Sequence, residues 1–147
     1  LDQRRIAVAG VSREDPDAAN AIYRRLRADG YRVFAVNPSA DEVEGDPAYP
    51  DLGAIEGGVD AVVVGTHPDV APAIVQRCID LGIQRVWLHQ GIGNGSYSED
   101  AVRLGREAGL TLIPGGCPMM FAEPVDVGHR CMRWLFGKVG RLPRAVG

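Results

Sequence analysis

The stretch Ile6 to Asp15, I-A-V-A-G-V-S-R-E-D, reads as a short apolar strand that breaks at a glycine into a loop and then a helix. Ile6 to Ala9 forms the strand, and Gly10 turns the chain. This is how open α/β sheets build a phosphate site. The glycine lets the backbone turn tightly and approach a ligand, while the helix N-terminus presents unpaired N–H groups and a positive dipole. Ser12 can add a hydroxyl hydrogen bond, and Arg13 can pair with a phosphate. The dinucleotide spacing G-x-G-x-x-G is absent, since the next glycine after Gly10 is Gly30. Taken alone, Gly10 is equally well explained as a plain strand–helix turn.

Outward from this stretch, apolar periodicity marks the other elements. Ala19, Ile22, Tyr23 and Leu26 recur at helical spacing, with Asp15 as the expected N-cap, Pro16 at the first helical position and Gly30 as the stop. Tyr31 to Val36 is a second strand, halted by Asn37-Pro38. Residues 39–58 are turn-rich and read as a loop with one short helix around Leu52 to Ile55. Asp60 to Thr66 is a nearly continuous apolar run, as a parallel strand covered on both faces requires. After His67-Pro68-Asp69, a helix is expected to turn Val70, Ile74, Val75, Cys78 and Leu81 inward, closing at Gly82. Ile83 to Leu88 is the fourth strand, followed by the glycine-rich loop His89 to Gly95. Ser98, Glu99 and Asp100 open a helix that runs through Ala108, and Leu110 to Ile113 is the fifth strand.

Strands alternating with helices predict a Rossmann-like, doubly wound parallel α/β sheet of about five strands, in three layers α/β/α. The expected strand order is 3-2-1-4-5, with the topological switch point between strands 1 and 4. Residues 1–147 are expected to form one domain. Within it, residues 119–147 form a C-terminal extension, with Val127 to Phe136 as a helix before a basic tail.

The formal net charge of −3 argues against a general nucleic-acid binder. No apolar run approaches the ~20 residues of a membrane span, and no signal peptide opens the sequence. Three widely spaced cysteines make no disulfide framework and suit a reducing cytoplasm. Polar residues accumulate where the strands end: Ser12 and Arg13, Asn37, Thr66 and His67, His89 and Gln90, then Cys117. Ligands of open α/β sheets bind at those ends. An NAD site wants an acid after the second strand, whereas Asn37 stands here, beside the flat apolar face of Pro38. His67, His89 and Cys117 do not follow a recognised zinc-ligand spacing. Cys117 in its glycine-rich turn is a nucleophile candidate set against a quiet structural cysteine.

Five short motifs, each at a strand end, occur in order: V-A-G-V-S-R, V-N-P, T-H-P, Q-G and G-G-C-P. Together they resemble the small CoA-binding-domain proteins, and the N-terminal CoA-binding domain of the succinyl-CoA synthetase α subunit and of ADP-forming acyl-CoA synthetases. The resemblance runs from about Ile6 to Pro118. It implies that Gly10, Val11, Ser12 and Arg13 hold the CoA phosphates, and that Val36, Asn37 and Pro38 meet adenine and ribose. It also implies Thr66, His67 and Pro68 for the pantetheine side, with Gln90 and Gly91 from the loop after the fourth strand. The synthetases react through a phosphorylated histidine on a second domain. The resemblance therefore implies binding of CoA or an acyl-CoA, with no catalytic residue or metal site assigned, and as partners a second copy or a synthetase subunit. Two other readings stay open: an NAD(P)-dependent oxidoreductase or redox sensor on the same fold, and an orphan subunit of an ADP-forming acyl-CoA synthetase.

Overall fold

The computed structural model describes residues 4–14, 17–90 and 95–118. Asp15, Pro16, Gly91 and the extension from residue 119 onward, with its expected helix Val127 to Phe136, lie outside the described residues.

The central strands are the apolar ones. β1 (Arg5–Ala9) pairs in parallel with β2 (Arg32–Val36) on one side and with β5 (Ala61–Val64) on the other. β5 continues in parallel to β6 (Arg85–Leu88), and β6 to β7 (Thr111–Pro114). A short antiparallel hairpin, β3 (Glu42–Val43) and β4 (Asp46–Tyr49), closes the far edge beside β2. The seven-stranded order is β3-β4-β2-β1-β5-β6-β7.

This confirms the doubly wound α/β class and corrects two expectations. The sheet has seven strands rather than about five, and the run Asp60 to Thr66 does not lie outside the second strand. It pairs with β1, Ile6 opposite Ala61 through Ala9 opposite Val64. The physical reason is exposure. The A-V-V-V segment must be covered on both faces, which only an interior position provides. The edge instead takes the short, polar β3–β4 hairpin, with Glu42–Val43 outermost and the D-P-A-Y strand between it and β2. The switch point therefore falls between β1 and β5.

The hairpin was hidden in a segment that reads as loop. Its turn carries Glu44 at φ +53° and Gly45 at φ +78°, the paired left-handed geometry of a tight two-residue turn. Glu44 tolerates that conformation because its carboxylate is gripped by Asn20 at 2.7 Å and Arg24 at 2.9 Å. The short helix expected around Leu52 to Ile55 is present as a 3₁₀ turn, Leu52–Ala54.

Helices cover both faces. α1 (Ala18–Ala28) buries Ala19, Ile22, Tyr23 and Leu26 against Ile6, Val8, Ala35 and Val63. Its N-cap is Asp17, not Asp15, because the Asp17 side chain accepts from Ala19 N while its backbone N–H bonds the side chain of Asn20. α2 (Ala71–Asp80) and α3 (Glu99–Glu107) cover the opposite face over Val62, Val64, Val86, Leu88 and Leu112. Within α2, Val75 and Cys78 are buried as expected. Val70 and Leu81 are instead exposed, at 47% and 40%, because they sit at the two helix ends where the chain leaves the sheet.

Candidate functional site

At the carboxyl end of β1, Gly10 adopts φ +100°, a conformation that a residue with a side chain rarely takes. Its N–H donates to the Val36 carbonyl at 3.2 Å, binding the ends of β1 and β2. On the other side it lies against Gly65, just after β5, whose N–H donates to the Ala9 carbonyl at 2.8 Å. Gly65 in turn backs onto Ala19 in the first turn of α1; a Cβ at residue 65 would sit 2.7 Å from the Ala19 Cβ. Three elements thus meet with almost no side-chain volume between them.

Above this junction opens a groove of about 370 Å³. Gly10, Val36, Asn37, Pro38 and Thr66 line one part of it. Leu52, Val70 and Ile74 add apolar wall, and Asp51 and Arg77 supply the charge. Asp51 accepts from Arg77 through Nε (3.1 and 2.9 Å) and Nη2 (2.8 Å), and also from Gly53 N at 2.8 Å. The Arg77 guanidinium, helped by the Gly53 amide, holds the Asp51 carboxyl below its ordinary range, and Asp51 raises Arg77 further. Both groups are charged at neutral pH.

Asn37 has a structural duty as well. Its Nδ2 donates to the Val11 carbonyl at 2.9 Å, and its Oδ1 accepts from Ser39 N at 2.7 Å. Both ends of the amide are therefore engaged in shaping the groove rim. Val11 itself is fully buried, so only its backbone takes part in that rim.

The loop expected to act as one phosphate cradle is divided. Gly10 faces the groove, whereas Ser12 and Arg13 line a separate cavity of about 530 Å³ with Asp41, Glu42 and Glu44. Arg13 pairs with Glu14 at 3.5 Å, and its side chain is 63% exposed. That cavity is lined by three acids and one arginine, so its net charge is negative. At the first turn of α1, the Asp17 carboxylate already caps the helix. His67 is exposed and pairs with Asp69 at 3.3 Å, and neither His67 nor Pro68 lines the groove. Gln90 N donates to the Gly116 carbonyl at 2.9 Å, joining the loops after β6 and β7. Cys117 is buried, as is Cys78, whose thiol burial pushes up to about 12.

Several residues of this region escape sequence reasoning. Asn20 is fully buried; its Oδ1 accepts from Ser12 N at 2.9 Å, and its Nδ2 donates to the Ser12 carbonyl and to Glu44 Oε1, each at 2.7 Å. A polar residue on an apolar helix face was the available signal. Ser96, also fully buried, donates its hydroxyl to the Thr66 carbonyl. Gly65 was visible as the glycine closing V-V-V-G, but its contact with Gly10 depends on the strand order.

Residues 4–123 match the CoA binding domain family. The chain belongs to that family. An uncharacterized protein, YneT of Bacillus subtilis, is 29% identical over 114 residues, 78% of this chain and 82% of its own length. Among solved structures, a hypothetical protein from Pyrococcus horikoshii superposes with a TM-score of 0.76 at 28% identity, covering 84% of each chain. The acetate–CoA ligase (ADP-forming) I of Archaeoglobus fulgidus is 25% identical over 118 residues, 76% of this chain. That match spans 17% of the ligase's length, so the family domain is one part of the larger enzyme.

Proposed function

We propose that the protein binds CoA or an acyl-CoA in the groove at the β1–β5 switch point. One observation carries the reading: the strand-end residues Gly10, Val36, Asn37, Pro38 and Thr66, drawn from three separate motifs, line a single groove in a member of the CoA binding domain family. Pro38 and Val36 offer adenine an apolar wall. The bare backbone at Gly10 lets a diphosphate approach the ends of β1 and β5. Val70 and Ile74 give the pantetheine chain an apolar path along α2.

The position that would hold the ribose hydroxyls of NAD is Asn37, whose amide is occupied by Val11 and Ser39. This favours CoA over a nicotinamide cofactor. The reading assigns no reaction to the chain. Because the same domain forms part of a much longer ligase, a second reading is a binding subunit that acts with a separate synthetase subunit. We place the protein in a reducing, cytoplasmic setting, in keeping with the three widely spaced cysteines of its sequence.

Calorimetric titration with CoA, acetyl-CoA, NADH and NADPH tests the reading. Saturable binding of CoA, with no heat from either nicotinamide, is the expected result. NADH binding that CoA fails to displace would overturn it. Capture of a nucleotide-binding subunit that confers CoA ligation would support the second reading.

A further inference from the structure

We propose that Arg77, presented by Asp51, recognises the ribose 3′-phosphate of CoA and so sets the preference of this site for CoA over nucleotides that lack that group. The inference rests on the CoA reading and goes further by assigning a specificity residue that none of the strand-end motifs contains.

Three observations carry it. First, Arg77 is the one cation among the described residues that line the groove, which it shares with Pro38 and Gly10. Second, its guanidinium is fixed and only partly used. Asp51 takes the Nε and Nη2 edge, and among the described residues Nη1 makes no bond. A guanidinium held along one edge is pre-organised to meet an anion with the other, so less side-chain entropy is lost on binding. Third, the turn beneath it leaves room for it. A Cβ at Gly53 would lie 2.5 Å from Arg77 Nη2, and residue 53 has no left-handed backbone to explain a glycine there. The absence of a side chain at residue 53 therefore accommodates the guanidinium in its present position.

The CoA nucleotide carries two anionic centres, the diphosphate and the 3′-phosphate. Gly10 gives the diphosphate a place at the strand ends, while Arg77 lines the same groove from α2. With adenine against Pro38, the ribose is the part of the nucleotide that separates the diphosphate from the base. Its 3′-phosphate is then the anion left for Arg77.

The test compares affinities for CoA and dephospho-CoA in the wild-type protein, Arg77→Gln, Arg77→Lys and Gly53→Ala, with thermal melting of each as a folding control. The wild type is expected to prefer CoA by tenfold or more, the size of a charge-assisted phosphate bond. Arg77→Gln should reduce that ratio to near one, with the larger loss of affinity falling on CoA. Arg77→Lys, which keeps the charge but loses the fork, should retain part of it. Gly53→Ala, which displaces the guanidinium without removing it, should lower the ratio in a folded protein. Equal losses for both ligands in Arg77→Gln would overturn the inference and make the Asp51 pair a structural tie between α2 and the preceding turn. A wild-type ratio near one would overturn it with CoA binding intact. Failure of the wild type to bind either ligand would instead overturn the CoA reading, and this inference with it.

Discussion

A side chain on Gly10 would place its Cβ 2.7 Å from the carbonyl carbon and oxygen of Gly65. Backbone cannot yield as a flexible side chain can, and Gly10 also stands at φ +100°. Gly10→Ala is therefore expected to cost about 3 kcal/mol or to force β1 and β5 apart at their ends. Gly65→Ala meets the Ala19 Cβ instead and should cost about 1–3 kcal/mol. Denaturant unfolding of both variants checks this. A Gly10→Ala protein as stable as the wild type would show that the junction has slack.

Asn20 joins the loop after β1 to the edge hairpin through one amide. Asn20→Ala leaves the amide and carbonyl of Ser12 and the carboxylate of Glu44 without that partner, at an expected cost of about 2–3 kcal/mol. The loop should also loosen, which faster hydrogen exchange at Ser12 would report. Asn20→Asp should be worse near neutral pH, because it sets a carboxylate against Glu44.

The hairpin clamp carries a pH dependence of known sign. The Tyr23 hydroxyl, at 2.7 Å, and then Arg27 hold the Asp46 carboxyl below its ordinary value. Asn20 and then Arg24 do the same for Glu44. Depressed carboxyl values mean that the unfolded chain binds the protons first as pH falls. The stability these groups contribute is present above the ordinary carboxylate range and is lost as pH drops through it and below. Asp46→Asn and Glu44→Gln should each flatten the fall in melting temperature between about pH 5 and pH 3. An unchanged slope in both variants would remove the clamp from the acid response. Both carboxylates also pair with α1, so the hairpin edge should be the first part to loosen in acid.

Cys78 is fully buried on α2, and its thiol is pushed up to about 12 by desolvation. The thiolate is the reactive form, so Cys78 should resist alkylation in the native protein and react only on unfolding. Mass-spectrometric mapping after a short exposure to iodoacetamide checks this. Labelling of Cys78 in the folded state would indicate local opening of α2.

Much of the fold was legible because its signals are local. The apolar runs at Ile6, Asp60 and Ile83, and the stops at Gly30, Gly82 and Gly109, mark strands and helices with no tertiary information. The strand order was not. Choosing between the outer side of the second strand and the open side of β1 for the run Asp60 to Thr66 depends on which strand can bear an exposed edge, and the deciding hairpin was hidden in residues 39–58. Its turn uses Glu44-Gly45 rather than an asparagine or aspartate before the glycine, because long-range partners on α1 hold Glu44 in place.

The candidate groove was legible in part. Gly10, Asn37 and Thr66 follow from their places at strand ends, Val36 and Pro38 from the resemblance carried by V-N-P, and all five line one groove. Arg77 and Asp51 do not follow, since a helix arginine and a loop aspartate have no local mark that separates them from solvated charge. Their 26-residue separation becomes a bidentate pair only when α2 lies beside the turn at Asp51. Ser12 and Arg13 are adjacent to Gly10 in sequence but turn toward a different cavity, because Asn20 draws the Ser12 backbone to α1.

Amide chemical-shift mapping of the isotopically labelled protein during CoA addition tests most directly whether the groove at the β1–β5 switch point is the CoA site. Saturable shifts concentrated at Gly10, Asn37, Thr66 and the residues around Arg77, with little change at Asp41 and Glu42, are the predicted result. Shifts centred on the cavity beside Arg13, or no shifts at saturating CoA, would contradict it.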